Sequence, residues 1–333
     1  MPKGKYQTEY FRDPRVHELR SKKLIFEDVD AFSMEYFEDE PEFHEKIDFV
    51  IVLPPLRYEG IVTKGIFFSQ SVDFIDKLFP QVRELFHSIA NSQWGAVPWS
   101  RQADGLFALY ENEDREAWFR GAYPERSNKK WLPLQDADFT NEYKMGPVPP
   151  LRFDHDVICV SRLHDLKNIP LIAAALKVHK EKYFPIRMAL VLGKDVQLGM
   201  KGLNESEANE WRQIEEILVH PFDYISIVPQ ADHYKELPEL YSRSKVCVLG
   251  SLFEGKNRSL HEAMCCNTPV VCFEQYNQYI RGSAPVMPKG AGVYAKDFSD
   301  ESMADAINDV ISNREQFQPR KRYLENSGRK NFF

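Results

Sequence analysis

Residues 245–273 read KVCVLGSLFEGKNRSLHEAMCCNTPVVCF, and their pattern predicts the class of fold. The stretch begins with the short apolar run KVCVLGS, passes through a polar loop around Gly255, and ends in a second apolar run, PVVCF. Between the loop and the second run, SLHEAMCCN has the pattern of a short helix. Short buried runs joined through a helix are typical of neighbouring parallel strands. The stretch therefore predicts a strand, a loop, a helix and a strand of an α/β sheet.

The same alternation extends on both sides of this stretch. Apolar runs bounded by turn residues predict strands, and longer amphipathic segments predict helices. In the second half of the chain these elements alternate at 155–163, 168–183, 187–193, 205–220, 224–230 and 300–313. Such a series predicts a doubly wound domain, in which ligands bind beyond the carboxyl ends of the strands.

The chain length of 333 residues favours two domains. The densest proline cluster, MGPVPPLRF at 145–153, is the best linker candidate because it separates regions of different charge. Apolar runs also alternate with helical patterns in the first half, including a helix over 71–89, and predict a second parallel sheet. The expected domains are 1–150, 151–315 and a C-terminal helix and tail over 316–333 that crosses back to the first domain.

Charge and composition narrow the function classes. The entire net charge of −7 lies in residues 1–150, which disfavours nucleic acid as the partner of that half. The chain lacks a secretory h-region and any apolar run of about 20 residues, so a cytoplasmic protein is expected. Its basic C-terminus, ending in Phe332 and Phe333, leaves a peripheral contact with an anionic membrane open. The five cysteines lack C-x-x-C spacing and are expected to be buried thiols rather than zinc ligands.

Two loops of the second half carry residue types suited to a nucleotide sugar. Arg162 and Lys167 follow one strand, where two cations can clamp a diphosphate. Glu254 and Glu262 flank the strand-to-helix junction of the opening stretch, where carboxylates suit sugar hydroxyls and helix amides suit phosphate. Each residue also has an ordinary interpretation. Arg162 and Lys167 fit surface cations without a ligand, Glu254 fits a charge at the start of a helix, and Glu262 fits a solvated carboxylate.

Together, SRLHDLKN at 161–168, the stretch 245–273 and GAGVYAKDFSDESMADAINDVI at 290–311 resemble the donor domain of retaining glycosyltransferases of family 4. The order, the intervals and the residue types all agree over roughly 155–312. The family has the GT-B fold, so the resemblance implies an α/β protein of two Rossmann-like doubly wound domains that face a cleft. It also implies a shortened acceptor-side domain over 1–150 and a donor domain over 151–315.

The resemblance implies a role for each matching residue. Arg162 and Lys167 resemble the pair that binds the donor diphosphate and stabilises the leaving group. Glu254 resembles the glutamate that contacts the transferred sugar, and Glu262 the carboxylate that holds the ribose hydroxyls. The turn at 227–232 resembles the one whose main chain meets the nucleobase. The backbone near sugar and phosphate is expected to come from Gly255, Lys256, Asn257, Arg258 and Ser259.

The chain departs from the family at several places. Gly255 to Arg258 read GKNR where many members have an apolar stretch, and this change adds two cations beside the donor. On the acceptor side, His87 is the nearest candidate for the histidine common in the family, with a structural role as its alternative. Trp94 and Trp99, in SQWGAVPWS at 92–100, are candidates for stacking on an acceptor sugar, with packing as the alternative.

The predicted function is transfer of a sugar from a UDP- or GDP-sugar, with retention of configuration, to a hydroxyl of a saccharide or glycoconjugate. The resemblance requires no metal or further cofactor. Two alternatives stay open. One is a nucleotide-sugar-binding protein that has lost catalysis, and the other is a glycosyltransferase that modifies DNA bases, which the acidic first half disfavours.

Overall fold

The structure is a computed structural model, and it describes the larger part of the second half of the chain and separate segments of the first. The described residues are 31–37, 44–53, 56–58, 61–68, 82–91, 104–107, 130–132, 137, 140, 142–149, 152–196, 202–252, 257–274, 287–325 and 327–328. The chain divides into two compact units, residues 1–139 with Phe333, and residues 140–332. The boundary predicted after Pro150 lies further along the chain than this division, and the predicted domain roles stay predictions.

The described part of the first unit contains a mixed sheet of six strands in the order β1-β2-β5-β6-β7-β8. Strands β1, β2 and β5 pair antiparallel, whereas β5 to β8 pair parallel. A hairpin of β3 and β4 lies apart from this sheet. The elements are β1 (Ala31–Phe37), β2 (His44–Leu53), β3 (Leu56–Tyr58), β4 (Ile61–Thr63), β5 (Gly65–Phe68), α1 (Val82–Leu85), β6 (Phe86–Asn91), β7 (Gly105–Phe107) and β8 (Lys130–Leu132).

Two expectations for this unit are wrong in detail. The sheet is only partly parallel. The helix predicted over 71–89 is present as α1 but is replaced at its end by β6, and residues 71–81 lie outside the described part. Along β6, Phe86, Ser88 and Ile89 are buried while His87 is exposed, so the strand is identified by its parallel pairing with β5 and β7 rather than by strict alternation of burial. Pairing with β5 and β7 supplies hydrogen bonds that outweigh the helical pattern.

The second unit is a parallel sheet with helices in the connections. Among its described residues, six strands follow the order β11-β10-β9-β12-β13-β14, and every pair is parallel. Each strand and helix predicted from the sequence of this half is present. The elements are β9 (His155–Val160), α2 (Ile169–Lys182), β10 (Met188–Val191), α3 (Glu205–Ile217), β11 (Ile225–Val228), α4 (Glu236–Ser242), β12 (Ser244–Val248), α5 (Arg258–Cys265), β13 (Val270–Phe273), β14 (Gly292–Ala295), α6 (Asp300–Ser312) and α7 (Pro319–Leu324).

The core of the second unit lies between this sheet and its helices. Strands β10 and β13 are buried along their whole length, as expected for central strands covered on both faces. All five cysteines are buried and unpaired, as expected from the sequence, and burial raises the pKa of the Cys159 thiol to about 12. The last helix, α7, packs against α5 of the same unit. No helix of the described segments is both long and apolar enough to cross a bilayer.

The α/β class predicted from the sequence is therefore confirmed. The strand order of the second unit brings the carboxyl ends of β9 and β12 side by side, because these two strands are direct neighbours in the sheet. Their loops, at 161–168 and from Leu249 onward, are the two singled out from the sequence.

Candidate donor site

The loop after β9 places the two predicted cations. Arg162 is exposed two residues beyond the end of the strand, and Lys167 closes a short 3-10 helix over Asp165–Lys167. The side chain of His164 caps this helix by accepting the Leu166 amide at 3.1 Å. Asn168 then adopts a left-handed conformation with a φ of 50° and starts α2. The loop is thus held by its own hydrogen bonds, with both cations at the carboxyl edge of the sheet.

The loops after β9 and β12 contact each other directly. The Leu252 amide donates to the Leu166 carbonyl at 3.0 Å. Gly250 lies so close to the first loop that a Cβ there would meet the Asn168 carbonyl oxygen at 2.8 Å and Ile172 Cγ1 at 2.9 Å. Because neither the carbonyl nor the buried isoleucine has room to move, only glycine allows this approach. The structure thus brings together the two loops that the sequence predicted.

Helix α5 begins at the same edge. Asn257 caps it, and its Oδ1 accepts the amides of Ser259 at 2.9 Å and Leu260 at 3.3 Å. Arg258 is exposed in the first turn. The positive end of the helix dipole and this guanidinium both favour an anion here. Glu254, Gly255 and Lys256 lie outside the described residues, so their predicted roles stay predictions.

Glu262, also on α5, is buried rather than solvated, with a residue exposure of 3%. Its Oε2 accepts a hydrogen bond from the Tyr241 hydroxyl at 3.2 Å, and its Oε1 lies 3.5 Å from His233 Nε2. Burial, with Glu262 beside it, raises the pKa of Tyr241, so the phenol keeps its proton and donates. A buried carboxylate needs such partners, because desolvation of the charge is costly without them.

The turn after β11, at 227–232, is fixed by local hydrogen bonds. Asp232 Oδ1 accepts the amides of Tyr234 at 3.0 Å and Lys235 at 2.9 Å, and Glu236 Oε2 accepts the Asp232 amide at 2.6 Å. His233 follows directly and bridges this turn to α5. His233 was not predicted as a site residue from the sequence, because nothing local to the turn indicates that its ring meets Glu262.

Lys194, which follows β10, is a second residue that was not predicted from the sequence. Its Nζ donates to Glu207 Oε2 at 2.7 Å, and the hydrogen bond holds the pKa of Glu207 below its ordinary value. The Asn204 amide and the charge of Arg162 act in the same direction. Arg162 and Lys194 thus both lie near the Glu207 carboxylate. Lys194 stands directly after Gly193 at a predicted strand end, so the rule that found Arg162 could also have found Lys194.

The predicted acceptor residues are not brought together among the described residues. His87 is exposed near the amino end of β6, and its Nδ1 lies 3.6 Å from Asp104 Oδ2, which also accepts from Arg83 at 2.8 Å. Ligands of such sheets bind at the carboxyl ends of the strands, whereas His87 lies at the opposite edge. Its placement therefore does not favour an acceptor role. Trp94 and Trp99 lie outside the described residues.

The carboxyl edge of the second unit therefore combines cations, a helix start and a buried carboxylate. This arrangement suits a ligand with a diphosphate at one end and hydroxyl groups at the other. Within the segments that the structure describes, no three His, Cys, Asp or Glu side chains are grouped so as to hold a metal ion.

Comparisons with known proteins find a matching family model and similar solved structures. The family model described as "Glycosyl transferases group 1" matches residues 153–331, which is more than half of the chain. A comparison with curated proteins finds no significant match.

Solved structures resemble the chain at the level of the fold. A sucrose-phosphate synthase from Thermosynechococcus elongatus aligns with a TM-score of 0.51 and 21% identity, over 75% of this chain and 67% of that one. TarM aligns with a TM-score of 0.52 and 12% identity, over 92% and 72% of the two chains. The pneumococcal O-GlcNAc transferase GtfA, in complex with UDP and GlcNAc, aligns with a TM-score of 0.50 and 14% identity, over 87% and 63%. The predicted GT-B class of α/β fold is confirmed by these matches.

Proposed function

The chain belongs to the group 1 glycosyl transferases, and we propose that it is a retaining enzyme of the family 4 type. The proposed reaction moves a sugar from a nucleoside diphosphate sugar to a hydroxyl of a saccharide or glycoconjugate. In this proposal residues 151–315 bind the donor and residues 1–150 bind the acceptor.

The observation that carries the proposal is the junction of the two loops. The hydrogen bond from the Leu252 amide to the Leu166 carbonyl, and the close approach at Gly250, hold the loop of Arg162 and Lys167 against the segment that leads into α5. Clamping a diphosphate requires cations and helix amides at one place, and this junction is where the second unit offers both.

The proposed chemistry is electrostatic. The bond between the anomeric carbon and the diphosphate oxygen breaks, and the acceptor oxygen bonds to that carbon on the same face. The departing diphosphate oxygen takes the proton of the acceptor hydroxyl. Arg162, Lys167 and the start of α5 stabilise the negative charge that develops on the leaving group. Glu262 accepts hydrogen bonds from the ribose hydroxyls, and Glu254 contacts the transferred sugar.

A UDP-sugar is the first donor class to test, with a GDP-sugar as the alternative. GtfA is described in complex with UDP and GlcNAc. A variant of S. aureus TarM, aligned with a TM-score of 0.51 and 12% identity, is described in complex with UDP and alpha-GlcNAc-glycerol. The two loops and α5 of this chain supply groups for the diphosphate and the ribose, which both donor classes share.

The experiment measures binding of UDP, GDP and their sugars by calorimetry, with hydrolysis of the donor followed in the same samples. Wild-type protein is compared with Arg162→Ala and Glu262→Gln, and Arg187→Ala is the control because Arg187 is exposed before the amino end of β10. We expect each site variant to weaken binding by roughly tenfold or more, the loss of one charge-assisted hydrogen bond, and the control to bind as wild type.

Three outcomes are informative. Donor binding that falls in the site variants, together with slow release of the sugar, supports the transferase. Binding without turnover in the presence of acceptor mixtures favours the alternative, a nucleotide-sugar-binding protein, for which the position of His87 at the amino end of β6 is the supporting observation. If no nucleotide binds, the donor-site assignment is wrong.

A further inference from the structure

The two oxygens of the Glu262 carboxylate have different neighbours. Oε2 accepts from the Tyr241 hydroxyl of α4, which is fully buried. Oε1 points toward the partly exposed ring of His233, whose Nε2 is 3.5 Å away and whose side chain is 41% exposed. One oxygen is thus held by a fully buried hydroxyl, and the other faces a ring that is partly exposed.

The position of the His233 ring is itself restrained. Asp232, its neighbour, accepts two backbone amides of the turn, and the ring packs edge-on against Tyr234 with 4.6 Å between centroids. Lys144 Nζ in turn lies 5.3 Å from the centroid of the Tyr234 ring. A ring held in this way loses little further conformational entropy when it contacts a neighbour, so it is suited to orient a carboxylate.

The charged groups around the ring are Arg258 and Glu262 of α5 and Asp232 of its own turn. Burial lowers the pKa of His233, and the charge of Arg258 lowers it further against the opposing effect of Asp232. The folded protein therefore favours the neutral form of the ring more than the unfolded chain does. In the tautomer with its proton on Nε2, the neutral ring faces Glu262 Oε1 with a donor at 3.5 Å and leaves the negative charge on the carboxylate, which remains a strong acceptor for ligand hydroxyls.

We propose that His233 is a positioning residue for donor binding, which orients Glu262 Oε1 toward the ribose hydroxyls of the nucleotide. This inference rests on the proposed donor site. Because His233 belongs to the segment that follows the turn at 227–232, it also couples the position of that turn to the position of α5. Two parts of the nucleoside, base and ribose, would then be recognised by one connected unit.

The test compares ligands with and without ribose hydroxyls. Dissociation constants are measured by calorimetry for UDP and for 2′,3′-dideoxyuridine diphosphate, or for the guanosine pair if GDP is the tighter ligand. The proteins are wild type, His233→Asn, His233→Ala and His233→Gln. The amide nitrogen of glutamine reaches close to the position of Nε2, whereas the side chain of asparagine is too short to place its nitrogen there. His220→Ala is the control, because His220 is exposed before β11.

We expect His233→Asn and His233→Ala to weaken UDP binding by about fivefold to tenfold, the equivalent of one hydrogen bond to a charged group. For the dideoxy ligand, the dissociation constants of these variants are expected to stay within about twofold of the wild-type value. That ligand has no ribose hydroxyl that could donate a hydrogen bond to Glu262. His233→Gln is expected to recover most of the UDP affinity, and the control to change neither ligand.

Two results would overturn the inference while the proposed function stands. The first is unchanged UDP binding in His233→Asn and His233→Ala. The second is an equal loss for both ligands, which would show a general structural role. If wild-type protein binds neither UDP nor GDP, the proposed function is wrong and this inference falls with it.

Discussion

Glu210 on α3 shows, at the scale of one residue, how the interior of the second unit affects a charge. The residue is 5% exposed, and its Oε2 has no hydrogen-bond partner among the described residues. Burial raises the pKa of Glu210, and the nearby Asp165 raises it further, while His164 acts in the opposite direction. The folded protein therefore favours the protonated form more than the unfolded chain does.

This raised pKa predicts a pH-dependent stability. Between the ordinary pKa of glutamate and the raised value, the folded state binds more protons, so the free energy of unfolding falls as the pH rises through this range. Glu210→Gln removes the titrating group. At pH 8 the variant is expected to be more stable than wild type by about 1 kcal/mol, the low end of the cost of an unsatisfied buried polar group. Near pH 4 the difference is expected to vanish.

Urea unfolding at pH 4, 6 and 8 measures this effect. Glu216→Gln is the matched control, because Glu216 is exposed on the same helix and its substitution is expected to change stability little. A variant at position 210 that is less stable than wild type at pH 8 would show that the carboxylate is stabilising instead.

At the scale of elements, α5 is the helix on which the proposed donor site depends. It is short, and Asn257 satisfies two of its first amides. Helix α6 has a comparable cap, in which Ser299 Oγ accepts the Ser302 amide at 3.1 Å. The two caps have the same chemistry, but only α5 begins beside the loop of Arg162 and Lys167.

Substitutions at these two caps distinguish an effect on stability from an effect on ligand binding. Asn257→Ala and Ser299→Ala are each expected to lower the free energy of unfolding by about 1 kcal/mol, because helix amides lose an acceptor. Only Asn257→Ala is expected to weaken nucleoside diphosphate binding, by roughly fivefold, since the frayed turn is the proposed phosphate site. Unfolding and calorimetry on the same preparations check both values. Equal loss of affinity in the two variants would contradict the role of α5.

At the scale of the whole molecule, Arg320 on α7 connects distant segments of the second unit. Its guanidinium donates to the Glu142 carbonyl at 2.8 Å, to the Met145 carbonyl at 3.3 Å and to the Cys265 carbonyl. The Arg320 side chain therefore links the last helix to the start of this unit and to the end of α5. The Val148 amide adds a further tie by donating to Ser242 Oγ at 3.0 Å.

Arg320→Lys keeps the charge but cannot reach three carbonyls at once. We expect the free energy of unfolding to fall by about 1–3 kcal/mol and the amides of 142–148 to exchange hydrogen faster. Arg322→Lys is the control, because Arg322 pairs with Glu325 at 3.1 Å on the surface, where an ion pair contributes less than about 1 kcal/mol. If the amides of 142–148 exchange hydrogen at the same rate in the two variants, Arg320 does not hold this segment in place.

From the amino-acid sequence alone, the strands β9 to β13, the helices between them, α6 and a C-terminal helix could be predicted, whereas the strand β14 was not. The sequence also indicated the loops after β9 and β12 as a candidate donor site. Apolar periodicity and turn residues are properties of consecutive residues, so they are visible without coordinates. The burial of β10 and β13, for example, follows from their uninterrupted apolar runs. The same reasoning found Arg162, Lys167 and Glu262 because each stands at a strand end or in the helix that follows it.

The other features of the fold and of the candidate site depend on contacts that form only in the folded chain. The antiparallel pairing of β1, β2 and β5, and the strand at β6 in place of a helix, depend on hydrogen bonds between segments far apart in the chain. The contact of His233 with Glu262 and the need for glycine at position 250 depend in the same way on which backbones meet across the fold. Pairing partners and close approaches are long-range properties, and local pattern carries no information about them.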